Sequence, residues 1–172
     1  VLEGELKDGA TGKDVIITLC GLYNQGEVLN AAVEFSGPGV ASLSMDERFA
    51  ISNMTTEWGA LVGWFPADEV TFAYLRSRLP IVEAQGSRRM TAEDIQGWEA
   101  DPIRPDPDAG YAARIRLDLS QVTPHVSGPD SVQVMRSVAD ISREDVAIQK
   151  AYLVSCVNSR LEDLEAAASV IR

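Results

Sequence analysis

The sequence predicts an α/β fold: a truncated three-layer arrangement, with helices on both sides of a mostly parallel sheet. Three observations carry that prediction. Helix starts opened by Thr or Ser recur along the chain, and short apolar stretches that read as strands alternate with them. Gly and Pro clusters punctuate the joins. Strands that alternate with helices pack as layers around a parallel sheet.

The elements follow in order. Thr11-Gly12-Lys13-Asp14 is a capped helix start, with Val15, Ile16, Leu19 and Leu22 at helical spacing behind it. Cys20 falls among those apolar positions and reads as a small buried hydrophobe. Asn24 to Gly26 break the helix, and residues 31–35 read as a strand closed by Gly37-Pro38-Gly39. Ser44-Met45-Asp46-Glu47 is a second capping box, opening a long helix expected to run to Phe65 and stop at Pro66. Further helices are expected over residues 68–78 and 92–99. The proline-rich stretch 101–110 suits neither helix nor central strand. Residues 113–119 alternate Arg114, Arg116 and Asp118 with Ile115, Leu117 and Leu119, the period of a half-exposed strand. A turn-rich joint over 123–130 marks a domain boundary. Beyond it, residues 151–155 read as a strand that hands over to a helix capped by Ser159 and Glu162.

Composition narrows the function classes. The chain has 172 residues, 45% hydrophobic and 24% charged, as globular proteins are. Its net charge of -11 is spread along the chain, and Arg88-Arg89 is its longest basic pair, so a nucleic-acid partner is not expected. No apolar run approaches the ~20 residues of a membrane span, so no membrane partner is expected either. Two distant cysteines and the single His125 make neither a disulfide framework nor a zinc quartet. The first residue is Val1, and the last residues lie inside an amphipathic pattern with no stop signal, so the chain reads as a piece of a longer protein.

Chemistry concentrates at two places. Cys156 sits where a strand ends and a helix begins, a position that favours a thiolate, with Ser155 and Asn158 as short polar neighbours. It is either a metal-ligating or nucleophilic sulfur, or a free cysteine at a tight turn. Asn53 and Glu57 lie four apart on one helix and so share a face bordered by apolar residues. They are either a placed polar pair or solvated edge residues. Gly59 and Gly63 permit close packing near that helix. His125, beside Pro124, reads as a structural hydrogen-bonding residue, with no triad partner nearby.

Three segments, in order, resemble the aconitase family. Asn53-Met54-Thr55-Thr56-Glu57-Trp58-Gly59-Ala60 is similar to the family's Asn-Met-x-x-Glu-x-Gly-Ala helix. Leu119-Ser120-Gln121-Val122-Thr123-Pro124-His125-Val126-Ser127-Gly128-Pro129 resembles the joint between its second and third domains. Ser155-Cys156-Val157-Asn158-Ser159-Arg160-Leu161-Glu162-Asp163-Leu164 resembles its first cluster-cysteine loop. Gly37-Pro38-Gly39 and Leu43-Ser44-Met45 also fit, and the likeness weakens over 78–105 and 131–150. The wording is most similar to the homoaconitase branch; isopropylmalate isomerase and aconitase itself remain alternatives within the class, and a non-catalytic α/β binding or structural domain remains one outside it.

The resemblance implies an aconitase-like domain over 1–120, and a joint with the opening strand and helix of the next domain over 121–172. It implies a mitochondrial matrix hydro-lyase of lysine biosynthesis acting on a tricarboxylic hydroxy-acid, homocitrate or homoisocitrate. Cys156 would be one of three thiolates on a [4Fe–4S] cluster. Asn53 would hydrogen-bond at the cluster, Glu57 would orient a water or hydroxyl, and Asn158 would stand behind them. Family members usually carry Thr where this chain has Val157. The family's Cys-x-x-Cys is absent from this sequence, so this chain by itself is expected to hold no cluster and to show no hydratase activity. Exposed apolar positions such as Leu161, Leu164, Ala168 and Ile171 are expected to bring self-association or disorder over 131–172.

Overall fold

A computed structural model describes residues 1–171. The α/β class is borne out. Two of three strand pairs are parallel: β1 (Leu2–Glu3) with β4 (Leu117–Asp118), and β2 (Ala32–Glu34) with β3 (Val62–Trp64). The third, β5 (His125–Ser127) with β6 (Met135–Ser137), is antiparallel. These are separate two-stranded ladders; no single sheet joins them among the described residues.

Helix α1 (Gly12–Leu22) begins where its cap predicts, with Asp14 Oδ2 accepting from both the N–H and the hydroxyl of Thr11, at 2.8 and 3.0 Å. Val15, Ile16, Leu19 and Cys20 are buried, and the helix runs through the middle of the core. The other oxygen of Asp14 accepts the His125 N–H at 2.8 Å, tying β5 to the start of α1. The imidazole Nδ1 lies against the Thr123 carbonyl, so His125 is the structural residue its context implies.

Helix α2 (Met45–Trp58) forms the platform for the site. Ser44 caps it reciprocally with Glu47. It does not run to Phe65. Gly59 adopts a left-handed φ of 111°, and the N–H groups of Gly59 and Ala60 return to the carbonyls of Thr56 and Thr55 at 3.0 and 2.9 Å. That closure ends the helix at its carbonyls before Pro66 can act. The chain reverses into β3, which pairs with β2 in the register Val33↔Gly63. Gly63 therefore lies on a strand, and its missing side chain is what lets β3 press on α2: a Cβ there would meet Thr55 Cγ2 at 2.7 Å.

Arg48, 2% exposed, closes the opposite side. Its Nη1 and Nη2 donate to the two oxygens of Asp68 at 2.7 and 2.8 Å, its Nε to Leu43 O at 3.2 Å, and Nη2 also to Val40 O at 2.8 Å. Asp68 caps α3 (Glu69–Ala84), which extends beyond the expected end and through Pro80. Pro80 is exposed, so water can take the carbonyl that its missing N–H leaves free. Thr91 opens α4 (Ala92–Ala100) with its box to Asp94.

Two expected strands shrink or vanish. Of residues 113–119 only β4 pairs, because β1 offers two residues to pair with. Residues 151–155 form no ladder; an alternating or apolar run becomes a strand only where another strand lies beside it, and none does among the described residues. After α5 (Val138–Ile141) the chain reaches a single turn, α6 (Ser155–Asn158), and then α7 (Leu161–Ile171). The Ser159–Glu162 box is not made. Asp163 accepts the Arg160 N–H at 3.0 Å instead, and Glu162 reaches across to α2, where Ser44 Oγ donates to it at 2.9 Å.

Candidate functional site

The core cluster sets where the site can form. Past Val122, Val157 is the one buried residue among those described, and it joins the same core as α1 and α2. Burying Val157 seats the α6 turn on α2. It also accounts for an apolar residue at this position, where the side chain packs into the core.

Cys156, next to it, is exposed. Asn53, exposed on α2, donates its Nδ2 to Cys156 Sγ at 3.2 Å across 103 residues of sequence. Two of the residues singled out from sequence are therefore in direct contact. Glu57 lies one turn further along the same face of α2, exposed. Asn158, half-buried, ends the α6 turn and makes no hydrogen bond to the sulfur among the described residues.

The turn that presents the sulfur is held by its own serines. Ser155 has φ of 85°, a left-handed conformation that L side chains rarely adopt. Its Oγ accepts the Val157 N–H at 3.2 Å, and its carbonyl accepts the Ser159 hydroxyl. Ser155 thus serves the backbone and not the sulfur. The helix that follows Cys156 directly is only a single turn, so the strong dipole expected at the sulfur is not available; the donor supplied is the Asn53 amide.

The charged group that sequence reasoning passed over is Lys13. Its burial pushes the ammonium below its ordinary pKa, while the carboxylates of Glu57, Asp14 and Asp163 oppose that shift. Lys13 therefore shares the field of Glu57 and Asp163, residues from α2 and α7. A signal was present: a lysine in the first turn of a helix opposes the macrodipole, so another interaction has to favour it there. Cys20 is fully buried, and burial together with the Glu57 charge pushes its thiol up to about 11, which keeps it protonated at neutral pH.

Among the described residues, no group of three or more His, Cys, Asp or Glu side chains could hold a metal ion. One exposed sulfur with an amide donor at 3.2 Å fits one thiolate of an iron–sulfur cluster, whose sulfurs take hydrogen bonds from neighbouring groups. It does not fit a complete ligand set. A cavity of about 500 Å³ lies elsewhere, between Trp58, Phe35 and Ile115, and includes none of Cys156, Asn53 and Glu57. Within its lining Tyr111 donates to Glu34 at 2.7 Å and Trp58 Nε1 to Tyr23 O at 2.8 Å.

Comparison with known proteins matches residues 1–172 to the model of the aconitase family (aconitate hydratase). The mitochondrial homoaconitase of Eremothecium gossypii is 51% identical over 173 residues, covering 99% of this chain and 25% of that protein. The mitochondrial homoaconitases of Yarrowia lipolytica and Mycosarcoma maydis are 52% and 49% identical, again over 99% of this chain and 25% of their own length. The chain spans about a quarter of the length of these relatives.

Proposed function

The chain belongs to the aconitase family, and from that membership we propose that it supplies one cysteine ligand and part of the reaction face of a homoaconitase-type [4Fe–4S] hydro-lyase. The observation that supports this reading is the Asn53–Cys156 contact at 3.2 Å, which joins the two family-like segments at the residues proposed for the site.

Cys156 would hold the cluster as a thiolate, and the Asn53 amide would donate to its sulfur, lowering the electron density there and orienting it. A cluster of this type, with one iron open, supplies a Lewis acid for removing and returning a hydroxyl group. Glu57 would hold or move a proton at the substrate or water oxygen, one helical turn from Asn53. Lys13 would stand in the charge field of Glu57 at the edge of the site. Asn158 would steady the turn behind Cys156. We assign the substrate to the tricarboxylic hydroxy-acids homocitrate and homoisocitrate, from the relatives' names, and the site of action to the mitochondrion on the same ground. Residues 121–172 would open a second domain after the aconitase-like unit of 1–120.

The test is made in the longer reading frame that contains this chain. After anaerobic reconstitution with iron and sulfide, the wild-type protein is expected to show a [4Fe–4S] spectrum and to hydrate homoaconitate; Cys156→Ser is expected to lose both. Retention of a full cluster by Cys156→Ser would remove the ligand assignment. Preference for citrate or isopropylmalate would move the substrate to another branch. The 172-residue chain by itself is expected to take up no stoichiometric cluster.

A further inference from the structure

Cys156 rides on a segment with a single buried side chain, Val157. One apolar anchor sets the depth of a turn but not its rotation or its register along a helix. The sulfur nevertheless meets an amide at 3.2 Å. A second attachment lies four residues on. The Arg160 guanidinium stands 4.5 Å from the centroid of the Phe49 ring, and its Nη1 is 3.6 Å from Asp46 Oδ1. Two residues further, Glu162 accepts from Ser44 Oγ at 2.9 Å.

The four α2-side partners fall in one order: Ser44, Asp46, Phe49, Asn53. Asp46, Phe49 and Asn53 are spaced by three and four and lie on one face. Their partners run in the reverse order: Glu162, then Arg160, then Cys156. The segment is thus laid along α2 in a defined antiparallel register, and a slip by one residue would take the sulfur off Asn53.

Arg160 contributes little to stability. Its ion pair with Asp46 is long and partly exposed, at 30% and 18%, and its Nε is buried without a partner among the described residues. The weak gain of such a pair and the cost of an unsatisfied donor oppose each other. What the flat guanidinium does supply is geometry, because it can stack on a ring and bond a carboxylate at its edge together. We propose that Arg160 is a positioning residue: clamped between Phe49 and Asp46, it sets the register that places the Cys156 sulfur on Asn53. The inference deepens, and rests on, the reading of Cys156 as a cluster ligand.

The test uses this chain. In an Asn53→Cys variant, glutathione disulfide is expected to close a bond to Cys156 readily. Adding Arg160→Gln is expected to slow that closure by about tenfold, through a lower effective concentration of the two sulfurs, with Arg160→Lys between the two. With Asn53 intact, the Asn53 side-chain amide resonances in Arg160→Gln are expected to move to where Cys156→Ala puts them. The melting temperature of Arg160→Gln is expected to stay within about 2 °C of wild type. Closure unchanged within about twofold would overturn the proposal. So would a large fall in melting temperature or loss of folding, either of which would make Arg160 a general stabiliser. Iron loading of the longer protein plays no part in these readouts, so failure of the ligand reading would be seen separately.

Discussion

At the scale of single residues, the strongest structural commitment is Arg48 with Asp68. A buried guanidinium is tolerated because its N–H donors make five hydrogen bonds, to Asp68, Thr71, Leu43 and Val40, and removing Asp68 would leave an uncompensated charge. Asp68→Ala is expected to destabilise the chain by about 3–5 kcal/mol, read by denaturant melts. The pH dependence follows from the same contact. Burial pushes the Asp68 carboxyl up, but the Arg48 hydrogen bonds and charge and the Thr71 N–H outweigh it, and the group titrates below its ordinary value of 3.8. Its stabilisation is therefore complete above the unfolded value and is lost as pH falls through the lower, folded one. An acid titration by circular dichroism should show wild type losing stability below pH 3.8, and Asp68→Asn should have a flatter acid limb. Neither partner announces this pair in the sequence. Cys156, Asn53 and Glu57 were legible as candidates because their residue types are chemically pointed and their segments resemble a family. Lys13 was not singled out, because its meaning depends on Glu57 and Asp163, which are distant in sequence.

At the scale of elements, caps were read well and strands poorly. The boxes at Thr11, Ser44 and Thr91 are local, each satisfied within three residues, so they hold whatever the rest of the chain does. The Ser159–Glu162 box failed because Ser44 on α2 engages Glu162 instead. Strand pairing is never local: residues 151–155 carry a strand-like pattern but meet no ladder. The early end of α2 was marked in the sequence by Gly59, whose left-handed closure acts before Pro66. The contact of β3 on α2 makes a sharp test. Gly63→Ala would drive a methyl to within 2.7 Å of Thr55, itself fully buried, and is expected to cost about 1–3 kcal/mol in a thermal melt. A neutral outcome would mean that β3 does not lie as close as described.

At the scale of the whole molecule, residues 1–122 carry nearly all of the core, while 123–171 lie over it with Val157 as their buried anchor. Much apolar surface stays exposed in that second part, including Ile148 at 72%, Leu161 at 68% and Ile171 at 84%. Patches of this kind associate in water. Sedimentation velocity is expected to show concentration-dependent self-association of this chain, and Leu161→Glu with Ile171→Glu should weaken it. A monodisperse monomer over the same concentrations, with slow amide exchange throughout 131–171, would contradict this.

By itself, the sequence determined the class of fold, the helix starts at Thr11, Ser44 and Thr91, and which side chains are candidates for chemistry, because each of these depends on neighbours three or four residues apart or on the residue's own functional group. The tertiary structure decided where α2 gives way to β3, which apolar runs become strands, and that an amide and a sulfur 103 residues apart meet at 3.2 Å. Such contacts exist only once the loops between them are closed and a shared core fixes both ends, and no local pattern encodes that closure.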